Sequence, residues 1–326
     1  MPTFAPYLDA SGLVHTEPAC PLATLPVRQQ RWTDVADRNR CLTCTRRDER
    51  VLYPTHPAEG KCRICGETRL LTQEHVPPQA AFNWDTAQRH SGDEWMAAEP
   101  GSDLGPGPEH QGGISTYTLC GACNSLTGTR YGTEYVRWAG ALHEGFQRVP
   151  PDPEGDDEVQ THYYELEVRD GEFYAGRFIR QVLSTLATVS GGALTRIAPQ
   201  VKDAILSGAT AELPDDMGVY MAVFPERKRG RILPPMAEAD IASKTVTLLC
   251  DFMHYPFAFV LVLAGREHAR VTGADIGGML MQSPDEVATG FHLSTPIARC
   301  HTVFPGDYRS RAELEADIAA SSRANE

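Results

Sequence analysis

The stretch Cys62-Arg-Ile-Cys65-Gly66, followed by Leu71-Thr-Gln-Glu74-His75-Val76-Pro77-Pro78 and closed by Leu119-Cys120-Gly-Ala-Cys123-Asn124, decides how this chain is read. A C-x-x-C knuckle bends the backbone so that two thiolates converge on one ion, and a tetrahedral zinc needs two such knuckles or their equivalent. Cys62, Cys65, Cys120 and Cys123 are therefore expected to hold one structural Zn²⁺ across a long connection. Asn124 follows the second knuckle directly, where a helix is predicted to begin and to continue from Ser125 to Trp138. Zinc would pin the start of that helix against a hairpin carrying Glu74 and His75. A carboxylate, an imidazole and a carboxamide then meet on one staple. A hard cation such as Mg²⁺ takes oxygen ligands, which Glu74 and Asn124 can supply. A neutral His75 beside it can take the proton of an attacking water.

This arrangement resembles the HNH endonuclease family, in the branch with two zinc knuckles and a Glu-His pair. The resemblance spans about residues 61–139, a quarter of the chain, and none of the rest. It implies an α+β protein built on a zinc-stapled ββα-metal, treble-clef-like module that hydrolyses phosphodiester bonds, with Mg²⁺ or Mn²⁺ as catalytic cation. By the resemblance His75 is the general base, Glu74 and Asn124 hold the catalytic cation, and nucleic acid, DNA first, is the substrate. The family's middle asparagine, which braces the loop holding the base, would fall near Ser115, nine residues before Asn124, where a serine has shorter reach. The long interval from His75 to Cys120 suggests an inserted substrate-reading loop. The rival reading is a non-catalytic, zinc-stabilised adaptor for nucleic acid or protein, in which His75 caps a turn and Glu74 is solvated.

Outward from this stretch, seven of the nine cysteines lie within the first 123 residues. Cys41-Leu-Thr-Cys44 is a surplus knuckle whose nearest partners are Cys20 and either His15 or His56, a Cys₃His set for a second zinc. Such a staple would explain how a core-poor segment stays folded; free thiols are the alternative. His15-Thr-Glu17 before this knuckle mimics a zinc-deaminase signature, but Arg40 stands where that signature has proline and only fourteen residues precede His15. Cys250 and Cys300 stand among apolar residues and read as ordinary buried thiols.

The chain of 326 residues is two domains long, and 41% hydrophobic content supplies material for real cores. Lys plus Arg is 30 against 43 Asp plus Glu, a net charge of −13, which argues against a protein that coats nucleic acid broadly and leaves local phosphate contacts open. No stretch approaches a membrane span and the N-terminus has no signal-peptide pattern, so a soluble protein of the reducing cytoplasm is expected. Restriction or antiphage defence is the role such nucleases commonly serve.

The expected divisions are an N-terminal segment (1–60), the knuckle module (61–148), an acidic Pro-rich linker (149–158) and an accessory α+β domain (159–326) available for a protein partner or oligomer contact. In that last part, Tyr163–Val168 alternates as a strand, and Arg177–Val189 carries a helical apolar stripe ending in a Ser190-Gly-Gly192 cap. A short helix fits Pro199–Leu206, strands fit Gly218–Phe224, Thr245–Phe252 and Phe257–Leu263, and a last helix fits Arg311–Ala320. Arg130 and Arg137 share a helix face and could reach a phosphate, although solvated charges are the simpler reading. His90 and His110 lie in the insertion. Arg227-Lys-Arg-Gly-Arg231 is the one dense basic cluster of the C-terminal part, a nucleic-acid contact or a plain surface turn.

Overall fold

The computed structural model describes residues 7–8, 14–15, 28–29, 54, 57–88, 109–151, 163–168, 172–240, 244–288, 291–300, 305–308 and 316. Cys20, Cys41, Cys44, His56, His90 and most of the expected linker and last helix lie outside these residues, as do the side chains of His15 and His110. The chain forms two compact units, Met1–Pro54 and Thr55–Glu326. In the first, β1 (Tyr7–Leu8) pairs antiparallel with both β2 (Val14–His15) and β3 (Arg28–Gln29).

The second unit is mixed α+β. It begins with β4 (Glu59–Lys61) and β5 (Thr68–His75), continues through β6 (Ala87–Gln88) and β7 (Glu109–His110), and reaches β8 (Ser115–Cys120). Strands β4, β5 and β8 form one antiparallel sheet in that order, while β6 and β7 pair as a separate stem. The chain then winds through α1 (Gly121–Thr127), a π-helical turn at Gly128–Gly132, and α2 (Thr133–Arg148). The helix expected after the second knuckle is thus present and longer. Its buried side chains Tyr131, Tyr135, Trp138, Leu142 and Phe146 recur every three or four residues, the spacing of one helix face.

Beyond it come β9 (Tyr163–Val168), α3 (Ala175–Val189), α4 (Ala193–Ile197) and α5 (Pro199–Ser207). Strands β10 (Gly218–Val223), β11 (Arg231–Asp240), β12 (Thr245–His254), β13 (Phe257–Ala264) and β14 (Ala274–Asp275) make an antiparallel sheet in the order β11-β12-β13-β10-β14. Strand β15 (Phe291–Pro296) returns to pair with β9. Between residues 163 and 264 the strands and helices read from the sequence fall where expected within a residue or two. Strand β11 was read only as a basic cluster at its start; Pro234 and Pro235 argue against a strand, yet they fall in a bulge of an edge strand, where no ladder N–H is needed.

Helix α3 is the hub. Every residue of it except Arg177 is buried, so it is enclosed on all sides rather than amphipathic. Phe178 stacks on Trp138 of α2 with ring centroids 4.1 Å apart and meets Phe257 of β13 at 5.6 Å. Buried Arg180 donates to the carbonyls of Ala204, Gly176, Gln282 and Ala209, which offsets the cost of burying its charge. One hydrophobic cluster runs from Cys62 and Ile64 through Trp138 and Phe178 to Phe257 and Ile297. The expected separate domains 61–148 and 159–326 therefore share a single core, because α3 packs against both α2 and the sheet. A smaller cluster, including Phe224, Val260 and Tyr308, forms separately. Among the described residues no helix is long and apolar enough to cross a membrane.

Candidate active site

The four sulfurs of Cys62, Cys65, Cys120 and Cys123 lie within 4.8 Å of one another. Bonds of ~2.3 Å to a tetrahedral zinc place sulfurs ~3.8 Å apart, and Cys65 Sγ sits 3.9 Å from Cys120 Sγ. The donor set and its spacing fit zinc. A hydrogen bond from the Cys123 thiol draws Cys62 down to about 4, while Cys123 is pushed up by the same contact. A zinc ion held by these sulfurs would displace their thiol protons.

Strand β5 runs from the first knuckle to Glu74 and His75, and its partner β8 runs into the second. Their register shifts between Thr72/Leu119 and Gln73/Tyr117, leaving Thr118 as an extra residue on β8. Bulges of this kind re-aim side chains beside functional sites. Here the Thr118 hydroxyl donates to Glu74 Oε1, which also accepts from Thr188 Oγ1 of α3 at 3.1 Å. Glu74 is buried rather than solvated, and desolvation pushes its carboxyl up to about 8, against the opposing pull of the two hydroxyls and of Arg63.

His75 Nε2 lies 3.1 Å from the carbonyl oxygen of Gly112. A carbonyl only accepts, so Nε2 carries the proton and Nδ1 keeps its lone pair. Gly112 and Gly113 adopt φ of +79° and +88°. A Cβ on Gly113 would sit 2.0 Å from the Asn83 carbonyl, so only glycine allows that approach.

The brace of this loop is Asn83, not Ser115. Asn83 Nδ2 donates to Pro77 O at 2.8 Å and Ile114 O at 2.9 Å, and its Oδ1 accepts from Ile114 N at 2.6 Å. The amide spans the loop after His75 and the segment before β8. Ser115, paired opposite His75, instead accepts a hydrogen bond from Gln73 Nε2 at 2.9 Å. The signal that was available for Asn83 is slight: one polar residue between Phe82 and Trp84, eight residues after His75.

Asn124 donates through Nδ2 to Gln73 O at 2.7 Å and to Thr72 Oγ1 at 3.2 Å. Those bonds fix the amide so that Oδ1 is left without a hydrogen bond among the described residues. Glu74, His75 and Asn124 all line one pocket of about 160 Å³, whose far wall is Gln181, Ser184 and Thr185 of α3. Gln181 Oε1 is a buried acceptor with no hydrogen-bond partner among the described residues. A pocket of this size has room for a small hydrated cation or a phosphate group.

Three basic residues singled out from the sequence are engaged elsewhere. Arg130 donates to Ser207 O at 3.0 Å, and Arg137 pairs with Glu134 at 3.6 Å and covers the Phe173 ring. Arg231 is buried against Asp251, with Nε 3.0 Å from Oδ2, and belongs to the core. Cys250 is fully buried, and burial pushes Cys300 up to about 11, as inert thiols behave. Compared with family models, with curated proteins and with solved structures, the chain matches none.

Proposed function

We propose that this protein is a metal-dependent endonuclease of the HNH type, its β5–β8 hairpin and α1 forming a zinc-stapled ββα-metal site. The observation that carries this reading is the convergence of Glu74, His75 and Asn124 on one pocket beside a four-cysteine cluster. The oxygens present suit a hard cation such as Mg²⁺ or Mn²⁺: Asn124 Oδ1 and the second oxygen of Glu74 make no hydrogen bond among the described residues, and Gln181 Oε1 can accept from a water in the same pocket. Bound there, a cation would neutralise charge on the phosphate and on the leaving oxygen.

His75 then takes the proton of a water through Nδ1 as the water oxygen attacks phosphorus. The new P–O bond forms as the bond to the leaving sugar oxygen breaks, and that oxygen takes a proton from solvent. Gly112 holds the imidazole in the tautomer this requires, and Asn83 holds Gly112 by way of Ile114. Threonines on β8 and α3 hold Glu74. Nucleic acid, DNA first, is the substrate; a cytoplasmic role in restriction or antiphage defence suits an enzyme of this kind.

One observation favours the second reading, a zinc-stabilised adaptor: a carboxyl pushed up to about 8 is mostly uncharged at neutral pH. Purified wild-type and His75→Ala proteins incubated with plasmid DNA, with and without Mg²⁺ or Mn²⁺, separate the two. The nuclease reading expects cation-dependent nicking that falls ~100-fold or more without the base. Cleavage at an unchanged rate by His75→Ala would remove His75 from the mechanism. Absence of cleavage by folded, zinc-loaded protein on plasmid, single-stranded DNA and RNA would favour the adaptor.

A further inference from the structure

Phe82, in the loop that Asn83 braces, adopts φ of +66°, a costly conformation for a bulky residue. What holds it is an aromatic cluster contributed by the rest of the unit. The Phe82 ring lies 4.8 Å from His143 of α2 and 5.2 Å from Tyr255 of the β12–β13 turn. Arg227, from the turn between β10 and β11, covers both rings, with its guanidinium carbon 5.3 Å from the Phe82 centroid and 4.9 Å from that of Tyr255. His143 Nδ1 and the Tyr255 hydroxyl lie 2.6 Å apart, which ties the base of the cluster together.

Trp84 sits on top. Its ring centroid is 5.4 Å from that of Phe82, and 49% of its surface is exposed. Its indole is carried on the aromatic cluster and leaves part of its surface to solvent, where a second flat ring can stack on it. Arg227 meets the same Phe82 ring, and with its neighbours Lys228 and Arg229 it is exposed; Glu226 engages Arg229 at 4.0 Å, and Arg227 and Lys228 make no ion pair among the described residues. The platform is coupled directly to the site, since Asp85 O accepts from Gly113 N at 3.0 Å, and Gly112 holds His75.

We infer that Trp84 and Arg227 form a stacking platform that receives an unpaired nucleobase of the substrate, with the adjoining phosphates on Arg227 and Lys228. An exposed indole and an exposed guanidinium carried on one Phe82 ring are what a base with its π-face free can use. A base inside a duplex hides that face, so the platform selects single-stranded, frayed or flipped nucleic acid. The net charge of −13 removes the general attraction that would otherwise mask such a preference. The inference deepens the nuclease reading and rests on it for the identity of the ligand.

The test is binding without cleavage. Full-length His75→Ala protein, zinc-loaded and free of Mg²⁺, is titrated into fluorescein-labelled ten-nucleotide oligothymidylate, oligouridylate and a ten-base-pair DNA duplex, and anisotropy is read. Expected are binding of at least one single strand in preference to duplex, a ~10-fold loss with Trp84→Ala, and near-full retention with Trp84→Phe. The two single-stranded arms distinguish DNA from RNA as the source of the base. Unchanged single-strand affinity in Trp84→Ala, an equal loss on duplex and single strand, or no single-strand binding by the parent would each overturn the platform. Plasmid cleavage together with any of these would leave the nuclease reading standing. Trp84-dependent binding without cleavage by wild type would leave the platform standing alone.

Discussion

Thr188 donates its hydroxyl proton to Oε1 of Glu74 at 3.1 Å, although the two residues lie 114 positions apart. Glu74 belongs to the hairpin of the half that carries the four-cysteine cluster, Thr188 to the buried helix of the other. That hydroxyl, the Thr118 hydroxyl and the Arg63 charge oppose the burial that pushes the Glu74 carboxyl up to about 8. The C-terminal half is therefore part of the site's wall rather than an appendage to it.

Thr188→Val removes one donor and keeps the shape, so Glu74 holds its proton more firmly and binds a cation less readily. The expected result is a ~10-fold or greater rise in the Mg²⁺ concentration for half-maximal cleavage at neutral pH, since a hydrogen bond to a charged group is worth ~1.5–3 kcal/mol. An Mg²⁺ titration that superimposes on wild type would show that Thr188 does not act on Glu74.

Glu74 also makes stability depend on pH. Its folded pKa of about 8 lies above the usual 4.5, so the folded protein holds a proton that the unfolded chain releases. This group's contribution to stability is fully present below pH 4.5 and is lost as pH rises to 8. Glu74→Gln has no proton to lose. Without added Mg²⁺, its Tm should match wild type near pH 4.5 and exceed it by a margin that grows to pH 8 and then levels. Parallel Tm curves across that range would refute the raised pKa.

Asn83 and Ser115 give opposite expectations. Asn83→Ala leaves the Ile114 N–H without its side-chain acceptor and frees two carbonyls, which should cost about 3 kcal/mol. Cleavage should fall further than stability, because Gly112 no longer holds the imidazole. Ser115→Ala should stay within ~0.5 kcal/mol of wild type, as partly exposed polar positions do. Chemical denaturation and plasmid nicking on the same samples decide both.

Zinc should be separable from catalysis. Cys62→Ser or Cys123→Ser should lose one equivalent of zinc and the cooperative thermal transition together, because a structural zinc supplies folding free energy. A chelator strong enough to strip zinc should do the same to wild type, and added Mg²⁺ should not restore it. If Cys20, Cys41 and Cys44 hold a second ion, Cys44→Ser should remove a further equivalent while nicking persists. Metal content by elemental analysis alongside Tm reads all of these.

Local chemistry made part of this protein legible in its residue order. Four thiolates at knuckle spacing have few alternatives to a shared ion, and Asn124 next to a ligand must stand near the other knuckle once that ion is bound. The apolar stripe of α3, the alternation of β9 and the continuous apolar run of β13 were equally plain, since they follow from backbone geometry and burial. Strand β11 was not, because its two prolines oppose strand formation and only its place at a sheet edge, beside a bulge, excuses them. Asn83, Thr118 and Thr188 carry no spacing signal, for each acts on a group far along the chain or displaced by a bulge. Nor does the sequence say that Arg231 is spent on Asp251 while Arg227, four residues earlier, covers Phe82 and Tyr255. Sequence thus determined which groups are chemically equipped to hold zinc, accept a proton and bind a cation. The tertiary structure decided what surrounds them: a buried helix from the other half closes one core around Glu74, and it is that burial which sets the carboxyl's charge.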